Sequence, residues 1–237
     1  MFTPRLCRLL WISTFILWIA AWLYPVSTSM TRLGGVILFA LVWIGLIALQ
    51  WKQRPVRWFL LGLTAAAALF LAWPGKPSPP PETLRNAYLQ GMARYSGCTY
   101  YWGGESPKGI DCSGLMRRGM IDSLCLEGLR HFQPSLVREA IDLWWHDCTA
   151  EGFMNGYRGL TIPVLDTPSL NVLDHSLIRP GDMAVTTSGV HVLAYVGENR
   201  WIEADPSVGR VLTLTAPTKD NVWLNGSMKI VRWQWLK

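Results

Sequence analysis

The chain has 237 residues, half of them apolar and 16% charged, with a formal net charge of +6. That excess lies wholly at one end. Arg5, Arg8, Arg32, Lys52, Arg54 and Arg57 precede Gly75 without a single Asp or Glu, and the remainder carries 16 residues of each sign. The neutral C-terminal region removes the argument for nucleic-acid binding that a high isoelectric point would otherwise supply, and no nucleic-acid partner is expected.

Three uncharged apolar stretches fill the first third: Leu9 to Thr31, Leu33 to Trp51 and Trp58 to Gly75. A helix needs about 20 residues, roughly 17–25, to cross a ~30 Å hydrocarbon core. Trp51, Trp58 and Trp73 stand at segment ends, where indole rings prefer the membrane–water boundary. A cleaved signal peptide would account for the first stretch but not for the next two, and a signal followed by one hairpin is the competing layout. The expectation is an all-α transmembrane anchor over residues 1–75, with spans near 9–31, 33–51 and 58–75. Arg5 and Arg8 precede the first span, Arg32 alone lies between the first two, and Lys52, Arg54 and Arg57 cluster before the third. The positive-inside rule then puts the N-terminus in the cytoplasm and everything after Gly75 on the opposite side.

Residues 76–81, Lys-Pro-Ser-Pro-Pro-Pro, form a Pro-rich linker. Together with Pro74 and Gly75 it reads as a polyproline II stalk of about 25 Å at ~3.1 Å per residue. Residues 82–237 are one domain's worth of chain. Glu82 to Tyr95 has helical spacing through Leu84, Ala87, Tyr88, Met92 and Tyr95, and further helices are expected over Ser113 to Leu126 and from Pro134 to about Thr149. Ala150 to Asp174 is rich in Gly, Pro and Asn and reads as loop with short strands. After Pro180 the pattern turns to β, over Met183–Thr187, Val190–Val196, Trp201–Ala204, Arg210–Leu214 and Met228–Trp235. Helices first and short strands after predict an α+β domain, with helices on one side of an antiparallel sheet.

Two blocks carry chemistry. Tyr100-Tyr101-Trp102-Gly103-Gly104 leads into Asp111-Cys112-Ser113-Gly114-Leu115, which places a cysteine at the start of a helix after a glycine turn. The partial positive charge of a helix N-terminus lowers a thiol's pKa and favours the thiolate. Gly181-Asp182 precedes a strand-like run, Val190 to Val196, that contains His191. Cys112 as nucleophile and His191 as base would make a Cys/His hydrolase. Taken alone, each has a plainer reading: Cys112 as a small buried hydrophobe and His191 as an ordinary sheet histidine.

Tyr-x-Trp-Gly-Gly, Asp-Cys-Ser-Gly-Leu and Gly-Asp with a following His-Val, in this order, resemble the NlpC/P60 family of papain-like cysteine peptidases. Most members of that family cut the peptide stems of bacterial cell walls. The resemblance covers roughly Glu82 to Glu203. It implies a papain-like fold and a substrate-binding role for Tyr100, whose counterpart's hydroxyl faces the nucleophile. Asp111 and Ser113 match positions that help bind a free amine in some relatives. A carboxylate there would attract an ammonium, and it would equally serve as helix N-cap. The family's third residue, commonly His, falls by spacing on Glu203. A carboxylate can fix the imidazole tautomer there. Asp205 shares its strand parity and is the rival.

Besides Cys7 and Cys112, three cysteines remain, with Cys125–Cys148 the preferred pairing in an oxidising compartment. No Cys-x-x-Cys or His-x-x-x-His spacing occurs and no phosphate-binding glycine motif is present, so neither metal nor other cofactor is expected. His131, His146 and His175 lack motif context. The expected protein is a multi-pass inner-membrane cysteine hydrolase with its catalytic domain on the periplasmic side, acting on amide bonds of peptidoglycan stem peptides. The alternatives are a lipid acyltransferase or thioesterase of the same superfamily and a non-catalytic wall-binding or assembly protein. No protein partner is legible.

Overall fold

The computed structural model describes residues 4–75 and 80–237; residues 76–79, the centre of the expected stalk, lie outside the described residues. Three helices open the chain: α1 (Pro4–Leu23), α2 (Ser29–Leu49) and α3 (Arg54–Ala72). Each is long and apolar enough to cross a membrane. Large apolar side chains such as Leu9, Ile16, Trp22, Ile44, Phe59 and Leu69 point outward unburied, an arrangement suited to lipid rather than water.

Their bounds differ from the expected spans. The first helix stops at Leu23 instead of running to Thr31, because Pro25 lacks an N–H and disfavours helix in the residue before it. A new helix then starts on a capping box. The Thr28 hydroxyl accepts from the Thr31 N–H at 3.4 Å, and the Thr31 hydroxyl accepts from the Thr28 N–H at 2.8 Å. Arg32 is thereby drawn into the first turn of α2 rather than left in the loop.

The domain begins with α4 (Pro81–Ala93), followed by a small hairpin, β1 (Glu105–Ser106) with β2 (Gly109–Ile110). Helices α5 (Cys112–Arg130) and α6 (Pro134–Trp145) come next. The region expected to be loop with short strands contains one strand, β3 (Thr161–Thr167), and also an unexpected short helix, α7 (Ala150–Met154). The helix expected to reach Thr149 stops at Trp145, and Thr149 instead caps α7 by accepting from the Gly152 N–H. The remaining strands are β4 (Met183–Thr186), β5 (Val192–Gly197), β6 (Arg200–Asp205), β7 (Arg210–Thr215) and β8 (Met228–Trp233). They form an antiparallel sheet of order β3-β8-β4-β5-β6-β7.

Alternation along the strands divides the core. Val185, Val192, Ala194 and Ile202 face Tyr88 and Met92 of α4 and Leu115, Met116 and Met120 of α5. Ala184, Leu193, Tyr195 and Trp201 face the opposite way, under loops that bring in Leu170, Leu173, Ile178 and Leu224. The domain is therefore α+β, with helices on one face of the sheet and long connections on the other.

The domain rests directly on the three apolar helices, at the helix ends opposite to those bearing Arg5, Arg8, Lys52, Arg54 and Arg57. Val26, in the α1–α2 turn, forms a β-bridge with Gly104, and the Ser27 N–H donates to the Gly103 carbonyl at 2.8 Å. Arg32 donates to Glu105 at 3.0 Å and lies 2.6 Å from Asp147, while Arg117 reaches the same two carboxylates at 3.2 and 3.1 Å. At the end of α3, Arg138 donates to the Leu71 and Trp73 carbonyls at 2.7 and 2.8 Å, and Phe132 packs edge-on against Phe70. A domain held off the membrane helices by a stalk was the expectation. Polar contacts to both connections seat it against them instead.

Candidate active site

Cys112 is the first residue of α5, and Asp111 is its N-cap. One Asp111 carboxylate oxygen accepts from the Gly114 N–H at 2.6 Å and from the Ser113 hydroxyl at 2.9 Å; the other accepts from the Gly103 N–H at 2.8 Å. Asp111 thus ties the glycine turn to the helix start. Gly103 has φ +72, a conformation that favours glycine. Gly104 has a different reason to be glycine, since a Cβ there would lie 2.4 Å from the Gly109 carbonyl oxygen. A Cβ on Gly114 would sit 2.2 Å from the Gly104 carbonyl, so the turn and the helix approach as closely as backbone allows.

His191 lies just before β5, in the hairpin after β4. The Thr186 hydroxyl accepts from the His191 N–H at 3.1 Å, and the Thr186 N–H donates to the His191 carbonyl at 3.0 Å. Imidazole Nε2 stands 2.6 Å from Glu203 Oε2, with Glu203 fully buried. Pairing of Ala194 with Ile202 puts His191 and Glu203 on one face, and Asp205 directly across from His191. The turn is Glu198-Asn199, both with positive φ, and the irregularity between Tyr195 and Gly197 supplies the odd residue this register needs. Asp205, whose Oδ2 accepts from Asn221 Nδ2 at 3.3 Å, does not bond the imidazole. Its carboxylate accepts from the Ser207 and Val208 N–H groups at 2.6 and 3.4 Å and shapes the β6–β7 turn.

Two further side chains complete the surroundings of the imidazole. Asn221 donates through Nδ2 to Glu203 Oε1 at 2.7 Å, and its Oδ1 accepts from the Trp223 N–H at 2.8 Å. The Trp223 indole stacks on the His191 ring, centroids 4.1 Å apart and planes 20° from parallel. With this ring over it, the His191–Glu203 pair is buried from solvent. Neither residue sits in a sequence motif.

Cys112 and the strand bearing His191 meet. The Val192 N–H, one residue after His191, points at the Cys112 thiol, as do the N–H groups of Ser113 and Cys112 itself. The thiol opens into a cleft of about 700 Å³ that is also lined by Trp102, Asp111, Cys148, Glu151 and Val190. Tyr100 lies close by. Its hydroxyl is pushed up to about 12, mainly by burial and in smaller part by the Cys112, Asp111 and Asp205 groups.

A model of the NlpC/P60 family matches residues 97–232, more than half of the chain. The chain belongs to the NlpC/P60 family. Among solved structures it is similar to an NlpC/P60 family protein from Bacillus cereus, at 18% identity and TM-score 0.39, covering 66% of this chain and 41% of that one. It is also similar to a peptidoglycan hydrolase from Mycobacterium tuberculosis, at 18% identity and TM-score 0.40, covering 64% and 65%. A third is NlpC2 from Trichomonas vaginalis, at 21% identity and TM-score 0.42, covering 65% and 48%. The chain thus spans less than two thirds of the length of each. No curated protein matches it.

The NlpC/P60 match runs past Glu203 to residue 232, further than the motifs reach, because β7 and β8 carry strand pattern alone. The family's Gly181-Asp182 pair is structural in this member. Asp182 is buried and holds Arg232 through two contacts, at 2.6 and 2.8 Å. The preferred Cys125–Cys148 disulfide is absent and all five cysteines are free, with Cys125 on α5 and Cys148 in the cleft.

One expectation about this NlpC/P60 thiol is reversed. Burial pushes Cys112 up to about 12, and the Asp111 carboxylate adds to the rise against the pull of the three N–H donors. Desolvation outweighs the helix terminus. The resting group is a thiol, so alkylation of Cys112 should climb about tenfold per pH unit from roughly pH 7 to 10, following the thiolate fraction. Iodoacetamide labelling, read by the mass of the Cys112 peptide, checks this. A rate already level below pH 7 would mean that a thiolate–imidazolium pair exists at rest.

Proposed function

We propose that this protein is a membrane-anchored cysteine hydrolase that cleaves amide bonds in peptidoglycan stem peptides. The observation that carries the reading is the meeting of the Cys112 thiol with the Val192 N–H, next to an imidazole whose far nitrogen is fixed by buried Glu203. Nε2–H donates to Glu203, which leaves Nδ1 as the nitrogen that takes the thiol proton. The thiolate attacks the amide carbonyl, and the first N–H groups of α5, which have no partner further back in the helix, face the oxyanion. The imidazolium returns its proton to the departing amine, leaving a thioester on Cys112. Water, deprotonated by His191, attacks the thioester, and a carboxylate and the free thiol result. Asp111, Ser113 and Tyr100 form the substrate side of the site. Residues 1–75 act as the anchor, 76–81 as the connection and 82–237 as the catalytic domain.

Digestion of sacculi and of synthetic stem peptides by the full chain in detergent, with products identified by mass, tests the activity. New amine and carboxyl termini are expected. Binding without cleavage would favour the non-catalytic alternative, and loss of an acyl chain from lipid would favour the acyltransferase or thioesterase.

Five of the six basic residues of the N-terminal region, all but Arg32, gather at the helix ends remote from the domain, which supports a bacterial inner-membrane location with the domain on the periplasmic side. A phosphatase reporter fused after Leu89 should be active, and one fused between Lys52 and Arg57 inactive. The opposite pattern would put the domain in the cytoplasm and end the wall-directed reading.

A further inference from the structure

The cleft that holds Cys112 is not built by the catalytic domain alone. Ser27 and Thr28 line it together with Gly103, Gly104 and Asp111. Thr28 is the N-cap of α2, a helix long and apolar enough to cross a membrane. One wall of the cleft is therefore the cap of this helix, and a span begins at the level of the lipid headgroups.

Two attachments hold this wall in place. On one side is the Arg32 cluster with Glu105, Arg117 and Asp147, in which the Arg32 and Glu105 side chains are 2% and 3% exposed. Removing one partner of such a buried pair strands the other charge. On the other side Arg138 holds the carbonyls that end α3, beside the Phe70–Phe132 contact. Lifting the cleft away from the helix ends would break both. The aromatic residues at this level agree with such a depth. Trp22, Tyr24 and Trp73 are exposed at the helix ends, and Trp102, 78% exposed, stands on the glycine turn that Val26 and Ser27 touch. Indole and phenol rings favour the headgroup region.

From this geometry, and resting on the hydrolase reading above, we propose that the substrate is a stem peptide carried on a lipid in the same leaflet, not the polymeric wall. The Ser27–Thr28 wall sets the cleft at headgroup depth, and a lipid-attached peptide is already confined there. That confinement raises its effective concentration without any added contact. Wall polymer would have to descend to the bilayer surface to be cut.

The test uses the full chain in lipid vesicles and one stem peptide in several forms: free, in sacculi, and coupled to a lipid through a short or a long spacer. The long spacer exceeds the ~25 Å that a free polyproline stalk would allow. The short-spacer peptide should be cut at least as fast as the long-spacer one and more than tenfold faster than the free peptide. Cleavage of the long-spacer form alone would overturn the proposal and leave the hydrolase reading intact. Equal cleavage of free, polymeric and lipid-coupled peptide would do the same. Cleavage of none of them would overturn both. Arg32→Gln and, separately, Glu105→Gln loosen the clasp. In whichever of them keeps the wild-type melting profile, the optimum should move toward the longer spacer. An optimum unchanged in a folded variant would overturn the role given to the clasp.

Discussion

Cys112→Ala in the full chain should lower amide cleavage by at least ~10⁴-fold, the scale seen when a nucleophile is removed from a site whose other parts remain. The fold should survive. The substitution deletes one sulfur at a helix start, and Asp111, which caps α5 and ties it to Gly103, is untouched. A stability loss within about 1 kcal/mol is the expectation for so small a deletion. Product release followed by mass, with thermal melting as the control, separates lost chemistry from lost structure. Cys148 is the necessary comparison, because it lines the same cleft. Cys148→Ala should keep turnover within an order of magnitude, and Cys125→Ser, half-buried on α5, should change it less. Equal activity in wild type and Cys112→Ala would end the enzyme reading, and a large loss only in Cys148→Ala would move the nucleophile.

What the sequence disclosed and what it withheld divide along physical lines. The strands past Pro180 were legible because period-two alternation records which face is buried, and with the helices before them the α+β arrangement followed. The three apolar helices were legible from length and charge, but not their ends. Pro25 and the Thr28 capping box set those, and a smooth apolar run hides them. Cys112 and His191 stood in motifs, so their positions could be read. Their neighbours Asn221 and Trp223 could not, because they arrive from a short turn after β7 whose only reason for being there is tertiary. The direction of the thiol's pKa was misjudged on the same account. A helix terminus is visible in sequence, whereas the depth of burial that outweighs it belongs to the assembled domain. Arg32 is the clearest case. As a lone charge between two spans it was a count in a topology argument, and in the structure it is a buried ion-pair partner of the cleft wall.

The second large effect is expected at Glu203. Glu203→Gln should cut the rate by about 10–10³-fold, or about 1.4–4 kcal/mol of transition-state stabilisation. A Cys–His pair leans less on its third member than a serine triad, where the matching change costs ~10⁴. The mechanism of loss is specific. Asn221 cannot turn its amide around, because its Oδ1 is held by the Trp223 N–H while Nδ2 donates to Glu203 Oε1. A glutamine at 203 will therefore offer its oxygen to Asn221 and its NH₂ to His191 Nε2. That nitrogen must then accept, which puts the ring proton on Nδ1, where the thiol needs a base. Removing the competing donor should relieve the fault. Glu203→Gln made in an Asn221→Ala background should lose less, relative to that background, than it does in wild type. Asp205→Asn should cost less than Glu203→Gln, since asparagine can still accept from the Ser207 N–H at the β6–β7 turn and loses only the 3.3 Å contact from Asn221, the longer of that amide's two. Rates measured across pH for all four variants decide the matter. A harmless Glu203→Gln beside a dead Asp205→Asn would transfer the orienting role to Asp205. Equal losses with and without Asn221 would mean that Glu203 acts through its charge alone and not through the tautomer it imposes.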